Sequence, residues 1–91
     1  MSTFRIYKYP LAVTDCQQIE MPVGAKVLHA DMQNGRLCLW AMVDVAAPMG
    51  QRVFFVIGTG HDFGGLSADQ HIATVQDGAL VWHVFGMEHR K

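Results

Sequence analysis

Two short stretches, QNGR at 33–36 and QDGA at 76–79, restrict this chain more than anything else in it. Each sets an Asn-Gly or Asp-Gly pair between apolar runs, a strong local signal for a β-hairpin, because both residues tolerate the positive φ of a type I′ turn. A two-residue loop at Asn34-Gly35 places Met32 opposite Leu37, Ala30 opposite Leu39 and Leu28 opposite Ala41. One face then reads Leu28, Ala30, Met32, Leu37, Leu39, Ala41 and Val43, almost purely apolar. The other is mixed: Val27, His29, Asp31, Cys38, Trp40, Met42 and Asp44. A one-residue slip would exchange the faces, so burial fixes the register. A loop at Asp77-Gly78 likewise sets Val75 opposite Leu80, Ala73 opposite Trp82 and His71 opposite Val84. The reverse face holds Ile72, Thr74, Ala79, Val81, His83 and Phe85, so His71 and His83 point to opposite sides. Apolar on both faces, this hairpin is expected to be central or largely covered.

Between the hairpins RVFFVIG, 52–58, reads as a strand buried on both sides, rich in β-branched and aromatic residues. TFRIYKY, ended by Pro10, and QIEMPV, interrupted by Pro22, read as edge strands, where a missing N–H is tolerated. Helix starts occur only at TDCQ (14–17) and SADQ (67–70), each with capping-box spacing and neither followed by a helical period. The expected fold is all-β with one or two short helical turns: a small open barrel or β-sandwich of about six mostly antiparallel strands. The 91 residues are expected to form one compact domain, 1–91.

Composition narrows the function classes. Apolar residues make up 51% and charged ones 16%, which excludes a disordered chain. The longest apolar run, Val53–Ile57, falls far short of the ~20 residues that span a bilayer, and MSTFRIYKYP lacks a signal peptide's apolar core. A cytoplasmic location is expected, the host cytoplasm if the gene is a phage's, with no membrane partner. Net charge is −1, and the basic residues are scattered from Arg5 and Lys8 to Arg90 and Lys91. A nucleic-acid binder concentrates such charge, so no nucleic acid is expected. Cys16 and Cys38 read as free thiols.

The stretch VIGTGHDFGG, 56–65, invites a chemical reading. Its G-x-G-x-x-x-G is one residue too long for a dinucleotide fingerprint and opens no helix; there is no G-K-[ST], and 91 residues cannot hold a kinase around Asp62-Phe63-Gly64. What survives is an anion nest: Gly58, Thr59, Gly60, His61 and Asp62 turning backbone N–H groups inward, with His61 adding charge. The plainer alternative is a glycine-rich strand exit. The five histidines, His29, His61, His71, His83 and His89, show no ligand spacing, so no metal and no cofactor is expected. Cys38, His29 and Asp31 fall within diagonal reach on the first hairpin, the raw material of a thiol site, yet a flat sheet face rarely makes a pocket. No catalytic residue is assigned. His29, Trp40 and Met42, edged by Asp31 and Asp44, instead suit a partner-binding surface; the alternative is a second core layer beneath the N-terminal strands.

RIYKYPL (5–11), QIEMPVGAKVL (18–28), QNGRLCLWAMVD (33–44), GTGH (58–61) and VWHVF (81–85) resemble an uncharacterised family of small phage, prophage and bacterial proteins, a domain of unknown function. The resemblance runs along nearly the whole chain and implies a phage-type accessory protein; it assigns no activity and no site residue. The expected role is a non-enzymatic binding module acting on a host protein, a defence component among the candidates. The alternative is a binder of a small anionic, nucleotide-like ligand at 58–65, with a small enzyme third. Edge strands ending at Pro10 and Pro22 leave a homo-oligomer open.

Overall fold

Asn34 and Gly35 take φ of 51° and 78°, so the first hairpin closes on the type I′ pair that the sequence predicts. The structure is a computed structural model that describes residues 3–87; His89, Arg90 and Lys91 lie outside them. Seven strands form among these residues, in line with the about six expected: the four of the two hairpins, the strand through 52–58 and both proline-ended segments. They are β1 (Phe4–Pro10), β2 (Gln17–Pro22), β3 (Lys26–Gln33), β4 (Arg36–Asp44), β5 (Met49–Gly58), β6 (His71–Asp77) and β7 (Leu80–Gly86). A three-stranded sheet runs β1-β4-β3 and a four-stranded sheet β2-β5-β7-β6, with every pairing antiparallel. Neither sheet closes on itself, and β3 runs alongside β6 without a ladder between them. The result is an open sandwich.

The core follows from the alternation along each strand. Leu37, Leu39, Ala41 and Val43 of β4, with Ala30 of β3, face Phe54 and Val56 of β5, Val84 of β7, and Ala73 and Val75 of β6; Met21 of β2 and Leu11 complete the cluster. Tyr9 packs against it from β1, where burial first and the neighbouring Tyr7 phenol second push its hydroxyl above the usual phenol range.

Three local expectations need correcting. A register shift between Val27 and His29 puts Val27, not Leu28, opposite Ala41, so Leu28 leaves the core face and stands 52% exposed. The second hairpin is present with its loop one residue further on: Gly78-Ala79 close it, Gly78 taking φ 60° in the first position, where a type II′ turn favours glycine. Val75 therefore pairs with Trp82 and Ala73 with Val84, which leaves the faces unchanged. A second register shift, between His71 and Ala73, sets His71 opposite Phe85, so His71 joins the face of Thr74 and His83. The third concerns the helix starts. Only Ala68–Gln70 makes a 3-10 turn, with the Gln70 side chain accepting the Ser67 N–H at 2.8 Å. At 14–17 no helix forms, because the Gln17 side chain bonds both the N–H and the C=O of Ala12, at 2.9 and 2.7 Å, and holds the segment as a bend. No helix among the described residues is long and apolar enough to cross a membrane.

Candidate functional site

The first candidate surface is the outer face of the three-stranded sheet. β1 lies beside β4 rather than across it, pairing Ile6 with Met42, Lys8 with Trp40 and Phe4 with Asp44. The N-terminal strand therefore widens this face and leaves it uncovered. Phe4 and Ile6 are each 61% exposed and Met42 37%, around a half-buried Trp40. His29 stands opposite Trp40 on β3, and Lys26 opposite Met42. The result is an aromatic and aliphatic stripe with a rim of both charge signs: Lys8, Lys26, His29, Asp31 and Asp44. Of these, His29 Nε2 approaches Asp31 Oδ2 at 3.5 Å, an exposed pair that solvent screens. Asp44 is held by its own turn, accepting the Ala46 N–H at 2.9 Å.

Cys38 lies on the same side but is only 3% exposed, and its thiol turns to the Arg36 carbonyl at 3.7 Å. Asp31 sits opposite Cys38, yet it contacts His29, and no hydrogen bond joins Cys38 to His29 among the described residues. As placed, the three are neighbours on a sheet and share no pocket.

The second candidate is the exit from β5. Gly58, Thr59, Gly60 and His61 make a tight turn: the His61 N–H donates to the Gly58 carbonyl at 3.0 Å, and Gly60 takes φ 87°. The Thr59 N–H donates to the Val81 carbonyl at 3.2 Å. Two amides that an anion nest would aim at a ligand are thus engaged within the fold. Gly58 has a further reason to be glycine, since a Cβ there would stand 2.8 Å from His61 Nδ1 and 3.2 Å from Trp82 Cζ3. His61 folds back over it and, with Thr59, Leu80, Val81 and Trp82, lines an open cleft of about 320 Å³. The Trp82 indole N–H is buried with no partner among the described residues.

Past the turn, Asp62 to Leu66 cover the outer face of the four-stranded sheet. The Phe63 ring lies 5.9 Å from that of Phe85, and Asp62, Phe63 and Leu66 close a hollow of about 190 Å³ over Phe55 and Ile57, with Asp15 and Cys16 at its rim. Beside it runs a chain of hydrogen bonds invisible in the sequence. Thr59 Oγ1 meets His83 Nε2 at 2.7 Å, His83 Nδ1 meets Thr74 Oγ1 at 3.0 Å, and Thr74 Oγ1 meets His71 Nε2 at 3.0 Å. Neutral imidazoles satisfy all three bonds, each threonine hydroxyl donating one way along the chain. The shift at His71 creates it, and nothing in the spacing of His71, Thr74 and His83 announces such a shift. No group of three or more His, Cys, Asp or Glu side chains is placed to hold a metal ion among the described residues.

Fold and surface together define a small two-sheet antiparallel domain with one apolar sheet face left uncovered. The family model for the domain of unknown function DUF7352 matches residues 2–91, and the chain belongs to that family. Comparisons with curated proteins and with solved structures return no match.

Proposed function

We propose that this chain is a non-enzymatic binding module that engages another protein through the outer face of its three-stranded sheet. The observation that carries the reading is the uncovered stripe of Phe4, Ile6, Trp40 and Met42 within a rim of mixed charge. Large apolar side chains left contiguous on a small domain mark interaction sites, and aromatic anchors near the centre of such a patch carry most of the affinity. The sequence's likeness to phage and prophage proteins makes a host protein, a defence component included, the first partner class to test. Tagged wild-type chain is expected to recover a specific protein from host lysate. Trp40→Ala and Met42→Lys are each expected to reduce that recovery at least ~10-fold, as for residues at the centre of an interface. Equal recovery by wild type and both variants would contradict this surface.

A second reading, an anionic small molecule in the cleft beside His61, is favoured by the buried, unpartnered Trp82 N–H and opposed by the engaged amides of Thr59 and His61. On this reading a nucleoside phosphate at 100 times its dissociation constant adds about 2.7 kcal/mol of stability. The melting temperature would then rise in wild type and not in His61→Ala, and an unchanged wild-type transition across nucleotides and inorganic phosphate removes the reading.

A further inference from the structure

An edge strand presents a row of unpaired N–H and C=O groups, and folded proteins usually blunt such edges. Of the four edge strands among the described residues, β3 and β6 run alongside one another, which leaves β1 and β2. The ladder bonds fix which residues turn outward. At the two ends of β1, the Leu11 N–H donates to the Leu37 carbonyl and the Val45 N–H to the Thr3 carbonyl, both at 2.9 Å. Bonded and unbonded pairs alternate in an antiparallel ladder, so Arg5, Tyr7 and Tyr9 bond β4, while Phe4, Ile6 and Lys8 turn their backbone groups to the open edge. On β2, the Val23 N–H donates to the Pro48 carbonyl at 2.8 Å, and the same alternation sends Gln18, Glu20 and Pro22 outward.

The two edges differ in kind. That of β2 carries a carboxylate and a proline, both of which discourage pairing. That of β1 offers three consecutive outward residues with N–H groups, two of them apolar and 61% exposed. None of the seven residues of β1 is fully buried. Its place in the fold rests on one ladder.

We infer that β1 pairs antiparallel with β1 of a second copy of this chain, about a two-fold axis at Ile6. Outward groups must meet outward groups, so the available registers step by two residues. With Ile6 opposite Ile6, Phe4 meets Lys8 of the second copy, Arg5 meets Tyr7, and all three outward N–H groups of each strand find acceptors. One step toward the N-terminus sets Arg5 against Arg5, and like charges directly opposite are destabilising. One step the other way sets Phe4 against Pro10, which has no N–H to return. A further step sets Lys8 against Lys8. Only the Ile6 register pairs every outward N–H and C=O of Phe4, Ile6 and Lys8 without opposing two cations, and it sets a guanidinium beside a phenol ring. The two three-stranded sheets become one of six strands, and the outer stripe runs on across the axis. A single strand pair lies at the low end of stable interface sizes, so the association is reversible. Ile6 belongs to both readings through different groups: its backbone edge makes this pairing, whereas the binding reading is tested at the side chains of Trp40 and Met42 on the neighbouring strand, which the pairing leaves in place.

Sedimentation of the full chain from ~1 to ~300 μM, a range spanning weak to moderate dissociation constants, is expected to give an average mass that climbs to twice the monomer's. Ile6→Pro holds the monomer mass throughout with its far-ultraviolet circular dichroism unchanged, because the Ile6 N–H makes no bond to β4. Ile6→Lys sets two ammonium groups at the axis and moves the midpoint at least ~10-fold higher, as opposed like charges require. Ile6→Cys in a Cys16→Ser background crosslinks on mild oxidation, since bonded partners lie about 5.5 Å apart at Cα, within disulfide range. A wild-type mass that stays monomeric at every concentration overturns the inference. So does a dimer undiminished by both Ile6→Pro and Ile6→Lys.

Discussion

Arg52→Met is expected to lower the unfolding free energy by about 3 kcal/mol, the sum of a lost charged donor and two carbonyls left wanting. Arg52 is only 8% exposed, on the core side of β5, with its guanidinium 5.6 Å from the centre of the Phe54 ring. Its Nη1 donates to the Ala25 carbonyl at 2.6 Å and its Nε to the Met87 carbonyl at 2.7 Å. One side chain thereby ties the turn after β2 to the residue that follows β7. Methionine restores much of the volume and the contact with Phe54 but offers neither carbonyl a hydrogen, so the loss measures the polar clamp. Arg52→Lys recovers only part of it, because a single ammonium cannot reproduce the planar fork that reaches both acceptors. Urea unfolding followed by tryptophan fluorescence reads the difference, and a loss below ~1 kcal/mol would mean that solvent satisfies those carbonyls unaided.

Gly86→Val is expected to cost about 2–3 kcal/mol by overpacking. A Cβ at Gly86 would lie 2.8 Å from Ile72 Cδ1 and 2.9 and 3.0 Å from the edge of the Phe54 ring. The isoleucine methyl can turn aside; Phe54, fully buried and with Arg52 over its face, cannot. Gly86 pairs with Phe54 across the β5–β7 ladder, so the ring occupies the space a side chain would take. Phe54→Leu made together with Gly86→Val should return part of the loss, because the two changes meet in one volume. Losses that simply add would show that the strain lies elsewhere. The same denaturant experiment decides it.

How much of this was legible beforehand varies with the range of the signal. The strand pairings around Asn34-Gly35 follow from local turn chemistry and a strict alternation, and they hold as far as His29. There an extra residue enters β3, moving Leu28 out and Val27 in, and no short-range pattern distinguishes VLHA with that insertion from VLHA without it. The same limit hid His71, whose neighbours Thr74 and His83 become partners only after a second insertion. Arg52 opens a run that reads as a buried strand, yet its acceptors come from residues 25 and 87, beyond any local window. Phe4, Ile6 and Lys8 alternate plainly in TFRIYK; what the alternation could not supply was that β1 lies beside β4, which makes those residues an extension of the Trp40 face rather than its lid. At Gly58 the glycines marked a turn, as their φ preferences demand, and the ring that lies over the first of them was out of reach.

The proposed binding surface is the outer face of the three-stranded sheet. Amide hydrogen exchange, compared between the chain alone and the chain with its captured protein, shows whether a partner sits there. At concentrations where the chain is monomeric, slowed exchange is expected across residues 26–31 and 40–44, beneath the outer face, with 58–66 unchanged. Protection confined to 58–66, with β3 and β4 unaffected, would place the partner on the opposite sheet and rule out the outer face as its site.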